Sequence, residues 1–202
     1  LRVSSEFSIT QGLLTIDQIV DNAVKNLVPS VALTDKSNMF GLVKFFNKCE
    51  SAGIKPISGA SIRLIFEDDD VSYELLCLAK TNNGHRNLMK IISNAHNNNS
   101  FNLPIIKFND LIKLKDDIIV ISGGKGSHIF EYLKLGNTSE AVSRIENFRN
   151  HFGDDFVIDI QMTNRLDEME YIKNVLPISK DKGIPLIATN DVLFSKQEDF
   201  GI

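Results

Sequence analysis

The chain has 202 residues, 43% apolar and 24% charged, with 22 basic against 26 acidic side chains and a formal net charge of −4. A chain of this length buries roughly 70% of the surface its unfolded form exposes, and the composition excludes disordered, collagen-like and coiled-coil classes. Its apolar runs fall far short of the roughly 20 residues a membrane span needs, and no Lys/Arg cluster marks a surface for unaided binding to a phosphate backbone.

Short apolar runs alternate with amphipathic stretches, the pattern of an α/β fold with a largely parallel sheet. Thr15 with Gln18 three residues later forms a capping-box signal, and Ile16, Ile19, Val20, Ala23 and Val24 follow at helical spacing. That helix should end before Pro29. Residues 31–34 read as a buried strand and 39–52 as a helix with Leu42, Val43, Phe45 and Phe46 on its apolar face, closed by Gly53. Residues 56–66 and 73–79 read as an antiparallel pair whose acidic turn, 67–70, is expected to be merely solvated.

Helices are expected over 84–96 and 108–114, a loop at 97–100, and a strand over 118–122 that ends at Ser122-Gly123-Gly124. Helices over 126–134 and 138–151, a strand over 156–160, a helix over 167–182 and a strand over 185–189 complete about seven strands. No internal repeat or low-complexity linker divides them, so residues 1–202 read as a single domain. The opening at Leu1 in a strand-like pattern and the stop at Ile202 without a tail signal read as a piece of a longer chain.

In β/α barrels chemistry gathers in the loops after the strands. Those loops carry Asp35, Lys36 and Ser37, then Gly123, Gly124 and Lys125, then Asn190 and Asp191. A divalent cation needs about three or more converging His, Cys, Asp or Glu ligands, yet His85, His96, His128 and His151 all lie near helices and read as surface or capping residues. Asp35 and Asp191 are the best-placed carboxylates, and the structural reading, bonds to amides or neighbouring side chains, outweighs an acid/base pair. Ser122-Gly123-Gly124-Lys125-Gly126 lacks full phosphate-loop spacing and reads as a tight turn. Cys49 and Cys77 lack metal or redox spacing and read as buried thiols in a reducing, cytoplasmic compartment.

Six segments taken together resemble the opening of bacterial polymerase III alpha subunits. They are residues 1–8, 32–41 and 53–59, then Asn83-Gly84-His85-Arg86-Asn87-Leu88, Ile121-Ser122-Gly123-Gly124, and residues 188–194. The resemblance covers essentially the whole chain. It implies a distorted seven-stranded β/α barrel, the PHP domain, at the head of a polymerase whose catalytic domains and Mg site lie in later sequence.

In active PHP domains a His/Asp/Glu/Cys cluster holds about three metals and supports phosphoesterase or proofreading chemistry. At those positions this sequence has Arg2 and Ser4 for the opening H-x-H, Gln11, Lys36, Ala60, Glu74, Gly124, and Asp191 beside Leu193. The resemblance therefore implies a metal-free cleft without a cofactor, in which Arg2 and Lys36 neutralise Glu6, Asp35 or Asp191. It also implies a scaffold role, with the other alpha-subunit domains and the separate proofreading exonuclease (epsilon) subunit as partners. DNA would be met only through the full polymerase, and no membrane is involved. The alternatives are an active metal-dependent phosphoesterase or 3'-5' exonuclease using Glu6, Asp35, Glu74 and Asp191, and a histidinol-phosphatase-like enzyme.

Overall fold

The computed structural model describes residues 1–9, 11–97, 103–163 and 166–194. The first helix, α1 (Ile16–Lys25), starts as its sequence dictates. The Gln18 amide donates to Thr15 Oγ1 at 3.2 Å and the Thr15 amide donates to Gln18 Oε1 at 2.9 Å, satisfying two amides left unpaired by the helix start. Ile16, Ile19, Val20 and Ala23 are buried, whereas Val24 faces outward. The chain then enters β1 (Ser30–Leu33).

Helix α2 (Leu42–Ser51) begins three residues later than its periodicity suggests. The Asn38 side chain shapes a turn there, accepting from the Phe40 amide and donating to the Phe7 and Lys36 carbonyls. Leu42, Phe45 and Cys49 face the core, while Val43, expected on the apolar face, is exposed. Gly53 leaves the helix at φ +70°, the left-handed conformation that closes helices.

Strand β2 (Lys55–Ile65) is long enough to take three partners. It pairs β1 in parallel at its start, β3 (Tyr73–Ala79) antiparallel through its middle, and the short β4 (Ile105–Lys107) in parallel at its end. With only three residues, β4 lacked a readable alternation and was not expected. Strand β3 also pairs β5 (Ile118–Ile121) antiparallel, and β5, β6 (Phe156–Ile160) and β7 (Leu186–Ala188) continue in parallel. The sheet is therefore mixed around β3 and curls into a distorted barrel-like shape.

Its two ends meet on the N-terminal segment. Val3 bridges Val192 in parallel, the Ser4 amide donates to the Val192 carbonyl, and the Thr34 amide donates to the Val3 carbonyl.

The remaining helices are α3 (Asn82–Asn97), α4 (Phe108–Ile112), α5 (His128–Lys134), α6 (Thr138–Phe152) and α7 (Leu166–Lys182). The expected loop at 97–100 begins inside α3, and residues 98–100 lie outside the described residues. The main core joins Ile62, Leu64, Leu75, Cys77, Val120 and Ile158 of the sheet to Leu88, Phe130, Ile145 and Phe148 of the helices. Each such side chain contributes roughly 1.5–3 kcal/mol on burial. A second core links α1 and α2 to Val31 and Leu33. On the other side of the sheet lie Ala32, Leu76, Leu78 and Ile121.

Two further expectations are overturned. The acidic turn is not merely solvated: Arg144 of α6, buried, pairs Asp68 at 3.1 Å and Asp69 at 3.0 Å and lies 4.2 Å above the Phe66 ring. A buried guanidinium needs counter-charge, and the turn supplies it. His128 is neither a surface nor a capping residue. Ser127 caps α5 through its hydroxyl, which accepts from the Phe130 amide, so His128 turns into the core among Phe66, Tyr73 and Phe148. Neither ring nitrogen has a hydrogen-bond partner among the described residues. Burial, helped by the charge of Arg144, pushes its pKa down to about 3.

Candidate functional site

The curl of the sheet brings the strand-end loops around one side chain, Arg2. Alternation along the strands sets the lining. On β6, Val157 and Asp159 share one face, while Phe156 and Ile158 pack into the main core on the other. The same rule places Glu74 of β3 on the cleft side and Leu75 in the core.

Arg2 is 4% exposed and all three of its nitrogens are engaged. Nε donates to Asp191 Oδ1 at 2.8 Å, Nη2 to Glu74 Oε2 at 2.7 Å and Nη1 to the Gly123 carbonyl at 2.8 Å. Asp159 Oδ2 lies 3.5 Å from Nη1, within ion-pair range though without a hydrogen bond. Lys36 adds a second cation, its Nζ 2.6 Å from Glu74 Oε1. Gly123 is required here: it sits at φ +90°, and a Cβ would meet the Glu74 carbonyl oxygen at 2.2 Å.

The proton affinities follow the packing. Burial disfavours the Arg2 charge, but Asp191, Glu74 and Asp159 outweigh it and hold the guanidinium above its ordinary pKa. Burial likewise acts to raise Glu74, and Lys36 and Arg2 outweigh it, so Glu74 falls below the usual range. Asp159 goes the other way. Desolvation dominates, and the hydrogen bond from Thr189 at 2.8 Å and the charge of Arg2 compensate only in part, leaving it raised to about 6.

The other sequence-marked residues divide sharply. Asp35, 1% exposed, makes no ion pair with Arg2 or Lys36. It accepts from the Ser5 amide at 2.7 Å, the Ser5 hydroxyl at 2.8 Å and the Ser8 hydroxyl at 2.6 Å, and so fastens the N-terminal segment beside β1. Glu6 is not a cleft residue either. It pairs at 3.7 Å with Lys44 on the surface, because the turn after Ser5 carries it outward. Ala60 packs in the main core. A one-residue step along a strand reverses the face, and its neighbour Ser61 is the one level with Lys36 through an isolated bridge.

Gln11 is exposed in a turn, Ser4 is buried beside Val192, and the Leu193 carbonyl accepts from the Leu13 amide. Gly124, at φ +59°, lies against the Gln161 side chain and opens a short 3-10 turn, as the tight-turn reading of 122–126 expected. His85 Nδ1 meets Ser58 Oγ at 2.9 Å and His96 Nε2 meets the Ser37 carbonyl at 2.8 Å, outside the Arg2 cluster.

Asp159 is the residue that sequence reasoning missed. Its signal was a carboxylate in phase with Val157 inside an otherwise apolar strand. Ser122, marked in the sequence only as the start of a turn, accepts from the Asp159 amide through its hydroxyl, and Thr189 donates to the Asp159 carboxylate.

The donor set does not fit a divalent cation. The carboxylates converge on a guanidinium, and among the described residues no group of three or more His, Cys, Asp and Glu could hold a metal ion. A fixed cation beside Lys36 would oppose a metal at the same point by several kcal/mol. Among the described residues no helix is long and apolar enough to cross a membrane.

A PHP domain family model matches residues 1–163. The chain is 35% identical over 201 residues to DNA polymerase III subunit alpha of Pasteurella multocida. It is also 34% identical over 203 residues to the same subunit of Escherichia coli. Each match takes in 99% of this chain, and the chain spans 17% of the length of these curated relatives, their N-terminal region.

Among solved structures, a Bifidobacterium adolescentis protein described as a metal-dependent phosphoesterase superposes with TM-score 0.67 at 13% identity, over 96% of this chain and 86% of that one. An amidohydrolase from Chromobacterium violaceum gives TM-score 0.64 at 13% identity, over 100% and 89%. At that identity the likeness is one of fold.

Proposed function

The chain belongs to the PHP domain family, and from that membership we propose that it serves a DNA polymerase III alpha subunit as a non-catalytic, metal-free scaffold. In this reading Arg2 takes the place of cations that PHP relatives would bind at the strand ends. Residues 1–202 act as one domain, held against the rest of the polymerase chain in the cytoplasm and offering a docking surface to the proofreading exonuclease subunit. DNA is met only by the assembled polymerase, whose nucleotidyl transfer and Mg site belong to other parts of that chain.

One observation carries the proposal: a 4% exposed guanidinium tied to Glu74, Asp191 and the Gly123 carbonyl, with Asp159 beside it. A buried ion pair is a poor source of net stability compared with apolar packing, but breaking one leaves an uncompensated charge. The cluster therefore ties the N-terminal segment, β3, β5, β6 and the stretch after β7 into one body. Such cross-linking of strand ends suits a support better than a catalyst, which must free its polar groups for substrate.

The test has two arms. The purified chain is assayed for phosphomonoesterase and 3'-5' exonuclease activity with manganese or zinc supplied. No turnover above background is expected, and turnover abolished by Asp191→Asn would defeat the non-catalytic reading. The polymerase subunit is then titrated with the exonuclease subunit of the same organism. Saturable association that requires residues 1–202 is expected, and its absence would remove the docking half.

A further inference from the structure

Away from the Arg2 cluster, a cavity of about 840 Å³ opens at the other end of the curled sheet, between α2 and α3. Val43 and Phe46 form one wall, one helical turn apart on the same face of α2. His85 and Asn82 stand on the α3 side, and Ile57 and Leu78 are among the floor residues. Val43 is 75% exposed, and Phe40, three residues before it, is 73% exposed. Exposed apolar side chains that rim an apolar hollow, as Val43 does here, mark an interaction site more often than singly scattered ones do.

The charge around this hollow is one-sided. Its lining includes Lys55, Lys80 and His85 and no carboxylate, in a chain whose net charge is −4. Lys80 is answered by Asp155 at 2.8 Å. Lys55 is exposed and makes no salt bridge among the described residues. By contrast, Lys44 and Lys48 on the opposite flank of α2 are matched by Glu6, Asp17 and Asp21.

Strand addition along β2 suits the site poorly. The stretch of β2 that lines the hollow, Lys55–Ser58, includes Pro56, which has no amide to donate. Recognition must come from side chains.

We infer that this groove is a docking site for a partner protein segment that carries one or two large apolar anchors flanked by carboxylates. The anchors would fill the space between Val43, Phe46 and Leu78, and the carboxylates would meet Lys55 and, in exchange with Asp155, Lys80. Such a site matches the helix-in-groove mode, in which anchors recur at helical spacing. The inference rests on the groove alone and not on the docking reading above.

The probe is a random-peptide phage library selected against the full 202-residue chain, followed by anisotropy titration of the enriched peptides. Enrichment of apolar peptides rich in Asp and Glu is expected, with affinity falling at least tenfold in Val43→Asp. Lys55→Glu should weaken binding, and a peptide with one carboxylate changed to Lys should recover it. Val43 is exposed, so its substitution leaves the core intact, and Leu27→Asp, at an exposed site on another face, serves as the control.

The inference is overturned if no peptide is enriched, if enriched peptides lack carboxylates, or if they bind Val43→Asp as well as the parent chain. It is also overturned if sedimentation shows the chain self-associating in a manner that Val43→Asp abolishes, since the groove would then receive a second copy.

Discussion

Among the described residues two arginines are buried, and they are held in opposite ways. Arg2 gathers carboxylates from distant strand ends, Glu74 after seventy-odd residues and Asp159 and Asp191 much later, none of them adjacent in sequence. Arg144 is held by the neighbouring residues Asp68 and Asp69 of one turn, by Glu140 one helical turn away, and by the Phe66 ring. Asp68 remains largely in water at 71% exposed, and Glu140 is partly exposed at 37%. The first arrangement ties the ends of the sheet together; the second pins one hairpin to one helix. The same residue type therefore carries global weight in one place and local weight in the other.

Arg2→Met sharpens the contrast most. It leaves Asp159 buried without its cation and Glu74 with Lys36 alone, and a loss of about 3–5 kcal/mol is expected in urea unfolding. A loss close to that of Arg144→Met would break the comparison.

The next effect is pH-dependent. The pKa of Asp159 is raised in the folded state, so its favourable contribution is full below the unfolded value of 3.8 and is lost as pH rises through about 6. Asp159→Asn should therefore stabilise the protein by about 1–3 kcal/mol near pH 7.5 and by little near pH 4, read as thermal midpoints. Stabilisation equal at both pH values would mean that the ionised carboxylate is well compensated.

Arg144→Met should cost about 1–2 kcal/mol, mostly from stranding Asp69, which is 10% exposed. The expected change in hydrogen exchange is confined to the β2–β3 turn and α6. Exchange that speeds across the whole sheet would contradict the local role.

His128→Phe gives the smallest effect near neutrality, within about 1 kcal/mol. His128 has a folded pKa far below its unfolded 6.5, so its contribution is present above pH 6.5 and is lost as pH falls toward about 3. The variant should flatten the acid limb of the stability curve; an unchanged limb would place the acid sensitivity elsewhere.

The sequence was most readable where the determinants are local. The Thr15–Gln18 capping box and the Gly53 terminator depend on neighbours a few residues away, and both form as read. Strand β4 escaped because three residues carry no usable period. The start of α2 shifted because the Asn38 side chain ties down a turn that helical periodicity does not encode.

Within the site, Arg2, Lys36, Glu74 and Asp191 were marked in the sequence and meet in space. Asp159 was passed over because a lone carboxylate in an apolar strand acquires meaning only from what faces it. Ala60 was misplaced by one residue, which on a strand is the whole difference between cleft and core. Glu6 and Asp35 were assigned to the wrong partners because turn geometry and serine hydroxyls, not charge alone, decided where they point.

The scaffold proposed above puts Arg2 where cations would be held. Its most direct test is metal content together with calorimetric titration of the purified chain with manganese and zinc, compared with Asp191→Asn and Glu74→Gln. No stoichiometric metal is expected in the parent chain, and no saturable heat that either substitution removes. One or more equivalents of metal, lost on changing Glu74 or Asp191, would contradict it.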